Sequence, residues 1–400
     1  MSARGFWRFL GSNLFTTLGL LLGVMQVVLG HWVTVVVAGR AGPGLALGLG
    51  VAGLLVAANA IAIPGMRRAR RAGGWPRRLA SGYLSAGLAT LLLGFAISLA
   101  WLGFLPLAGL GRLAGASGET LFTIFRVASG AVVAVLVWML AWGFTLGRAR
   151  LDRTHVRVEL PGLHADLRGL RIVQISDLHI GNVLAGEPLS RIVAAVNELD
   201  PDLVVLTGDL FDFDPRFVED GARRLGELRG RHGVYVVLGN HDVYTGTELV
   251  VSALGEQAPG LRLLRDERVR LPVAAPLYLA GVEDPGRDWT ARALELPALA
   301  VLGGAHPSDG PTVLLVHRPE AFPQAARLGF PLVLAGHTHG GQIALPTPRG
   351  RLNPARFVTR FVRGVYRENG SVLYVNRGAG FAGPALRFNC PREIATIELV

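Results

Sequence analysis

The sequence predicts an all-α membrane part of four spanning helices over residues 1–150, then an α/β domain over residues 151–400. Three observations carry this. Apolar runs without a charged residue occur near 14–38, 43–64, 80–105 and 127–146, each reaching roughly the 20 residues that cross a bilayer core. From His155 onward short β-branched runs alternate with amphipathic stretches, the texture of a sheet covered by helices. Charge divides at the same place. Residues 1–150 hold thirteen Arg and one acid, Glu119, whereas residues 151–400 hold twenty-seven Arg and twenty-eight acids.

The net charge of +11 therefore belongs to the apolar half. It does not argue for nucleic acid, which needs basic charge spread over a soluble face. The chain contains no Lys, and its single Cys390 excludes an internal disulfide, which fits a reducing compartment. The first apolar run is too long for a cleaved signal peptide and three more follow it. Arg4 and Arg8 precede run one, six Arg lie between runs two and three, and Arg148, Arg150 and Arg153 follow run four. The intervening loops hold only Arg40, Arg112 and Arg126. Positive residues stay on the cytoplasmic side, so the expectation is a multi-pass protein of the inner (cell) membrane with a cytoplasmic domain after residue 150. His31 lies in the first run with no carboxylate in the runs to pair with, so a lone polar residue is a better reading than a transport path. The glycine-rich runs suggest close helix packing.

In the second half the expected strands are 155–160, 171–176, 203–207, 234–238, 277–282, 312–316, 331–335, 372–376 and 394–399. Expected helices are 187–199, 216–228, 246–256 and 319–328. Five strands end in polar groups: Asp177-Leu178-His179, Gly208-Asp209, Gly239-Asn240-His241-Asp242, His317 and Gly336-His337-Thr338-His339. Residues two apart on a strand point the same way, so Asp177 and His179 can act together just past a strand end, where α/β sheets bind ligands. Five of the nine His after residue 150 fall in these motifs. Carboxylate, amide and imidazole donors without thiolate suit Mn, Fe or Zn. Seven such side chains exceed one ion's needs. They suit two divalent ions about 3.5–4 Å apart, an arrangement that clamps a phosphoryl group.

In this order the five blocks resemble the calcineurin-like metallophosphoesterase superfamily. The four apolar runs and the tail Arg387-Phe388-Asn389-Cys390-Pro391-Arg392-Glu393 are similar to its branch of transmembrane proteins with a metallophosphoesterase domain. The resemblance implies an α-β-β-α sandwich. It implies Asp177, His179, Asp209 and His339 at one metal, and Asp209, Asn240, His317 and His337 at the other, with Asp209 bridging. It implies His241 facing the phosphate as proton donor. Asp212, Asp242 and Asp284 read as carboxylates that orient ligands.

The implied function is membrane-anchored hydrolysis of a phosphoester or pyrophosphate. Relatives of this branch cleave the pyrophosphate of UDP-diacylglucosamine, so a phosphorylated amphiphilic substrate in the bilayer is one expectation. A phosphodiesterase without lipid preference, a transporter or channel with a regulatory hydrolase-like domain, and a non-catalytic scaffold are the alternatives. The connection from Leu146 to His155 spans at most about 30 Å, and residues 349–363 mix Arg with Phe357, Phe361 and Val362. Both suit a site at a lipid surface, where basic groups meet anionic headgroups. A reporter active only in the cytoplasm, fused after Arg150, is expected to give signal, and the same reporter after Arg112 is not. The reverse pattern would place the second half outside.

Overall fold

The computed structural model describes residues 3–37, 39, 45–72, 74–181, 183–286, 310–347 and 350–400. The chain divides into two units, Met1–Ala141 and Trp142–Val400, the boundary lying nine residues before the expected 150/151 junction. The first unit contains α1 (Ala3–Trp32), α2 (Leu45–Ala72), α3 (Gly74–Leu113) and most of α4 (Gly118–Trp142). Gly19–Val37, Gly82–Leu113 and Gly118–Gly147 are long and apolar enough to cross a membrane. The second expected run lies in α2, in which Gly50–Ile63 is apolar among the residues whose side chains are described. Close packing follows from small residues. A Cβ at Gly94 would stand 2.9 Å from the Met25 carbonyl oxygen on α1. Polar groups in this unit bond to one another: Asn59 donates to Gln26 at 2.9 Å and Tyr83 to Asn59 at 2.5 Å, the pairing expected of polar residues between spanning helices.

The second unit is built on two six-stranded sheets. Sheet one orders β1 (Leu151–Val158), β14 (Arg392–Leu399), β2 (Arg171–Ile175), β3 (Leu203–Thr207), β4 (Val234–Val237) and β5 (Leu261–Leu263). Sheet two orders β12 (Gly364–Glu368), β13 (Ser371–Val375), β9 (Leu332–Ala335), β8 (Thr312–Leu315), β7 (Tyr278–Gly281) and β6 (Glu267–Arg270). β2 to β5 run parallel, as do β13, β9, β8 and β7. A two-residue side-chain period sorts the buried strands between faces. Ile172, Leu203, Val205 and Val237 join Leu279, Val313, Leu334 and Tyr374 in the core between the sheets. Val173, Ile175, Val204 and Leu206 pack outward on α5 (Glu187–Asn197), α6 (Val218–Leu225) and α7 (Asn240–Gln257). Leu314, Val333 and Leu373 pack outward on α8 (Phe322–Arg327). Four layers result, helices outside two sheets.

The strands missing from the sequence reading are β5, β6, β12 and the hairpin β10 (Leu345–Thr347) with β11 (Gly350–Leu352). They have three to five residues, and β5, β6 and β12 are edges, where one face and one side need no apolar residue. Helix α7 begins at Asn240 rather than 246, with a break at Gly246. The Gly-Asn-His-Asp block is thus a helix N-terminus, its Asp242 accepting the Gly239 N–H at 2.9 Å.

The tail residue Glu393 holds three strands. Its buried carboxylate accepts from Arg377 Nη2 (2.8 Å), the Arg377 N–H (2.9 Å), Tyr374 (2.9 Å) and Thr154. Burial raises its pKa, but the bonds and charge of Arg377 outweigh that and lower it. Glu393→Ala leaves Arg377 with only Asp152, 3.5 Å from its Nη1, as counter-charge, and removal of one partner from a buried pair costs about 3–5 kcal/mol. A large fall in the thermal midpoint, followed by near-ultraviolet circular dichroism, is expected. An unchanged midpoint would contradict this role.

Candidate metal centre

All five polar motifs lie past the carboxyl ends of parallel strands. β2, β3 and β4 of sheet one deliver Asp177, His179, Asp209 and Asn240. β8 and β9 of sheet two deliver His317, His337 and His339. The structure brings six of these side chains together in two groups able to hold a cation, Asp177–His179–His339 and Asp209–His317–His337, and joins His179 to Asp212 and His241 in a third. Six of the seven are buried, and His337 is half-buried.

The backbone is strained here. Asp177, His179, Asp209, His337 and His339 adopt φ of 51°, 46°, 53°, 72° and 51°. Left-handed conformations are uncommon for residues with a side chain and concentrate at functional sites. They turn the chain sharply off each strand so that side chains converge. The adjoining glycines are required by space. At Gly208 (φ 90°) a Cβ would stand 2.5 Å from His317 Nδ1, and at Gly336 it would stand 2.4 Å from Asp177 Oδ2.

Asp209 occupies the junction. Its Oδ2 lies 3.5 Å from His179 Nε2 and 3.2 Å from His317 Nε2, one imidazole from each group. Its Oδ1 accepts the His241 N–H at 2.8 Å. Burial raises the Asp209 pKa, yet the His317 charge and hydrogen bond dominate and hold it well below the carboxylate range. Asp177 is pushed the other way, first by burial and also by the Asp209 charge, while the His337 N–H donates to it at 2.9 Å.

The imidazoles face one another. His179 Nε2 lies 2.9 Å from His339 Nε2, and His337 Nδ1 lies 3.1 Å from His317 Nε2. His317 Nδ1 donates to the Thr207 carbonyl at 2.8 Å, leaving Nε2 as the donor atom toward the cluster, as in metal-ligating histidines. Burial and the His317 charge push His337 down to about 3. Burial also lowers His317, but Asp209 overrides it and lifts His317 to about 10. The buried Asn240 Oδ1 has no hydrogen-bond partner among the described residues. Facing ring nitrogens, buried carboxylates and an orphaned amide oxygen fit divalent cations, for which each offers a lone pair.

In the third group His241 is half-buried, and its Nδ1 lies 3.5 Å from Asp212 Oδ1. The same oxygen lies 3.9 Å from His179 Nδ1. Burial raises Asp212, but hydrogen bonds from His179 and His241 prevail and hold its carboxyl far below the usual range. Asp242 accepts the N–H groups of Gly239, Leu210 and Phe211. Asp284 pairs with buried Arg318 at 2.7 and 3.1 Å. Asp212 and Asp242 bear on the candidate ligands and the backbone beside them, whereas Asp284 pairs with Arg318 instead.

Arg387 was singled out only as part of the tail. It is fully buried, and its guanidinium donates to the carbonyls of Gly380 (2.7 Å), Arg377 (2.8 Å) and His339 (3.1 Å), with Nη2 3.4 Å from His339 Nδ1. An Arg far from the motifs carries no signal of this role. Of the 349–363 stretch, Arg349 lies outside the described residues. Phe361 and Val362 are buried and Arg360 pairs with Glu368 at 2.7 Å. That corrects the expectation of Phe361 and Val362 in an apolar lip: among the described residues there, the exposed large apolar side chains are Leu352, Phe357 and Val358.

A family model for calcineurin-like phosphoesterases matches residues 170–341. A transmembrane protein with metallophosphoesterase domain from Danio rerio is 35% identical over 295 residues, 68% of this chain and 64% of that protein. A metallophosphoesterase of Campylobacter jejuni is 34% identical over 250 residues, 61% of this chain and 62% of that protein. One of Bacillus subtilis is 30% identical over 240 residues, 58% of this chain and 79% of that protein. The chain spans less than two thirds of the length of the first two. Among solved structures, a dimetal phosphatase from Danio rerio aligns with a TM-score of 0.36 at 15% identity, over 58% of this chain and 93% of that one. With the matched segment enclosing all five motifs, the chain belongs to the calcineurin-like phosphoesterase family.

Proposed function

We propose that the chain is a membrane-anchored, two-metal hydrolase of a phosphoester or pyrophosphate bond. The position of Asp209 Oδ2, within 3.5 Å of imidazoles from both groups, carries this reading. Asp177, His179, Asp209 and His339 would hold one ion, and Asp209, Asn240, His317 and His337 the other. Such ions supply charge for the phosphoryl oxygens and a nucleophile at neutral pH.

The side chains supply the rest. His241 stands beside the groups, on the open side. Asp212 takes its Nδ1, which leaves Nε2 to give a proton to the leaving oxygen. Asp242 fixes the Gly239–Phe211 backbone around Asp209. The Thr207 carbonyl fixes the ring of His317.

We take the substrate to be amphiphilic and lipid-linked, with a lipid-linked nucleotide such as UDP-diacylglucosamine as the specific candidate. The apolar helices of the same chain and the exposed Phe357 and Val358 support it. A soluble substrate needs neither.

Metal and turnover separate the roles. With Mn²⁺ and a chromogenic phosphodiester, Asp209→Ala is expected to lose both metal and activity. His241→Ala is expected to keep metal by elemental analysis and lose about 10²–10⁴-fold in kcat. Metal loss in His241→Ala equal to that in Asp209→Ala would make His241 a ligand. In bilayer discs, kcat/KM for a lipid-linked pyrophosphate is expected to exceed that for its delipidated head group. Equal values would leave a phosphodiesterase with no lipid preference.

A further inference from the structure

A cleft of about 390 Å³ opens beside the cluster, with Asn240, His241 and His337 on its floor. Its size suits a small-molecule site, for which roughly 300–1,000 Å³ is usual. One wall is aromatic. Phe213 and Tyr244 stack with centroids 5.7 Å apart and planes 4° apart, and the Phe213 ring lies 4.5 Å from that of His241. Ala355, Val358, Thr338 and Thr359 also line it. Among the described lining residues Glu320 is the one carboxylate, and none is Arg.

Phe213 is held at a cost. Its φ is 50° and its side chain is 53% exposed. A bulky residue in left-handed backbone is a genuine outlier, and such strain persists where the surroundings impose it for a purpose. Here Asp212, bound to the His179 and His241 rings, sets the chain direction immediately before Phe213. Stacking on Tyr244 and the contact with the His241 ring cover part of it, and the rest of the ring stands exposed. It gains contact energy only when a ligand covers it.

We propose that this cleft is the leaving-group subsite, and that it takes an uncharged apolar group, alkyl or aryl, esterified to the oxygen that His241 protonates. The proposal rests on the phosphoester form of the hydrolase reading above, not its pyrophosphate form, and adds which side of that ester bond is apolar. Among the described lining residues a second phosphate meets no Arg, and a polar head group has the Phe213 and Tyr244 rings against it. The Phe213 and Tyr244 rings lie 4.5 and 5.7 Å from that of His241, so the group they hold departs with its proton. Water oxygen bonds to phosphorus, the bond from phosphorus to the apolar alcohol's oxygen breaks, and His241 supplies the proton that this oxygen takes up. A proton from the water restores the imidazole. The polar monophosphate ester is the other product.

Two measurements on the full-length Mn²⁺-loaded protein in bilayer discs test this. Calorimetric titration compares phenylphosphonate, hexylphosphonate and 2,3-dihydroxypropylphosphonate. The first two are expected to bind about 10-fold more tightly, from roughly two methylenes' worth of apolar contact. The double variant Phe213→Ala, Val358→Ser is expected to erase that difference and leave the dihydroxypropyl affinity within about twofold. A preference for phenyl over hexyl would identify an aryl group, and the reverse an alkyl group. Mass spectrometry then identifies the products from the hexyl phosphodiester of thymidine 5′-phosphate. Hexanol and thymidine monophosphate are expected. Hexyl phosphate and thymidine would put the apolar group on the wrong side and overturn the proposal, as would equal phosphonate affinities in the unaltered protein. Absence of any metal-dependent cleavage, with the phosphonate preference intact, would sink the hydrolase reading and leave the apolar cleft standing.

Discussion

The second unit depends on one buried carboxylate. Asp209 sits where two sheets meet, touching His179 from sheet one and His317 from sheet two with a single oxygen. Removing a charge from water costs several kcal/mol unless partners replace its hydration. Here the partners are imidazoles and the His241 N–H, each from a different strand end. The two-sheet architecture is what lets them approach. Parallel strands place all their carboxyl ends at one edge, and four layers bury that edge from the sides.

The same convergence makes the cluster a poor structural device and a good cation site. Imidazole nitrogens that face each other at 2.9 and 3.1 Å cannot both carry protons. Five donors sit in left-handed backbone, each costing about 1–3 kcal/mol. Folding alone offers no return for this. A divalent ion does, since it meets every lone pair at once. Arg387 fits the same account from the other side. Burial lowers its pKa to about 10, so it stays charged and ties the His339 carbonyl to three turns of the tail.

Much of this was legible in the sequence, because apolar strands that end abruptly in Asp, Asn or His betray both the strand and the donor. All seven donors and His241 were named from such endings. The central strands were found for the same reason, since a buried strand cannot hide its Val and Leu. The edge strands escaped because Glu267–Arg270 and Gly364–Glu368 carry charges on their free sides. The N-terminus of α7 escaped because a break at Gly246 mimics a helix start. Arg387, Phe213 and Tyr244 escaped for a different reason. Their roles come from tertiary placement, and neither periodicity nor spacing encodes it.

Anomalous diffraction from crystals of the metal-loaded protein tests the central claim most directly. The account predicts two metal peaks about 3.5–4 Å apart, with Asp209 between them, one beside His179 and His339 and the other beside His317 and His337. A single peak, or two peaks that do not share Asp209, would contradict it.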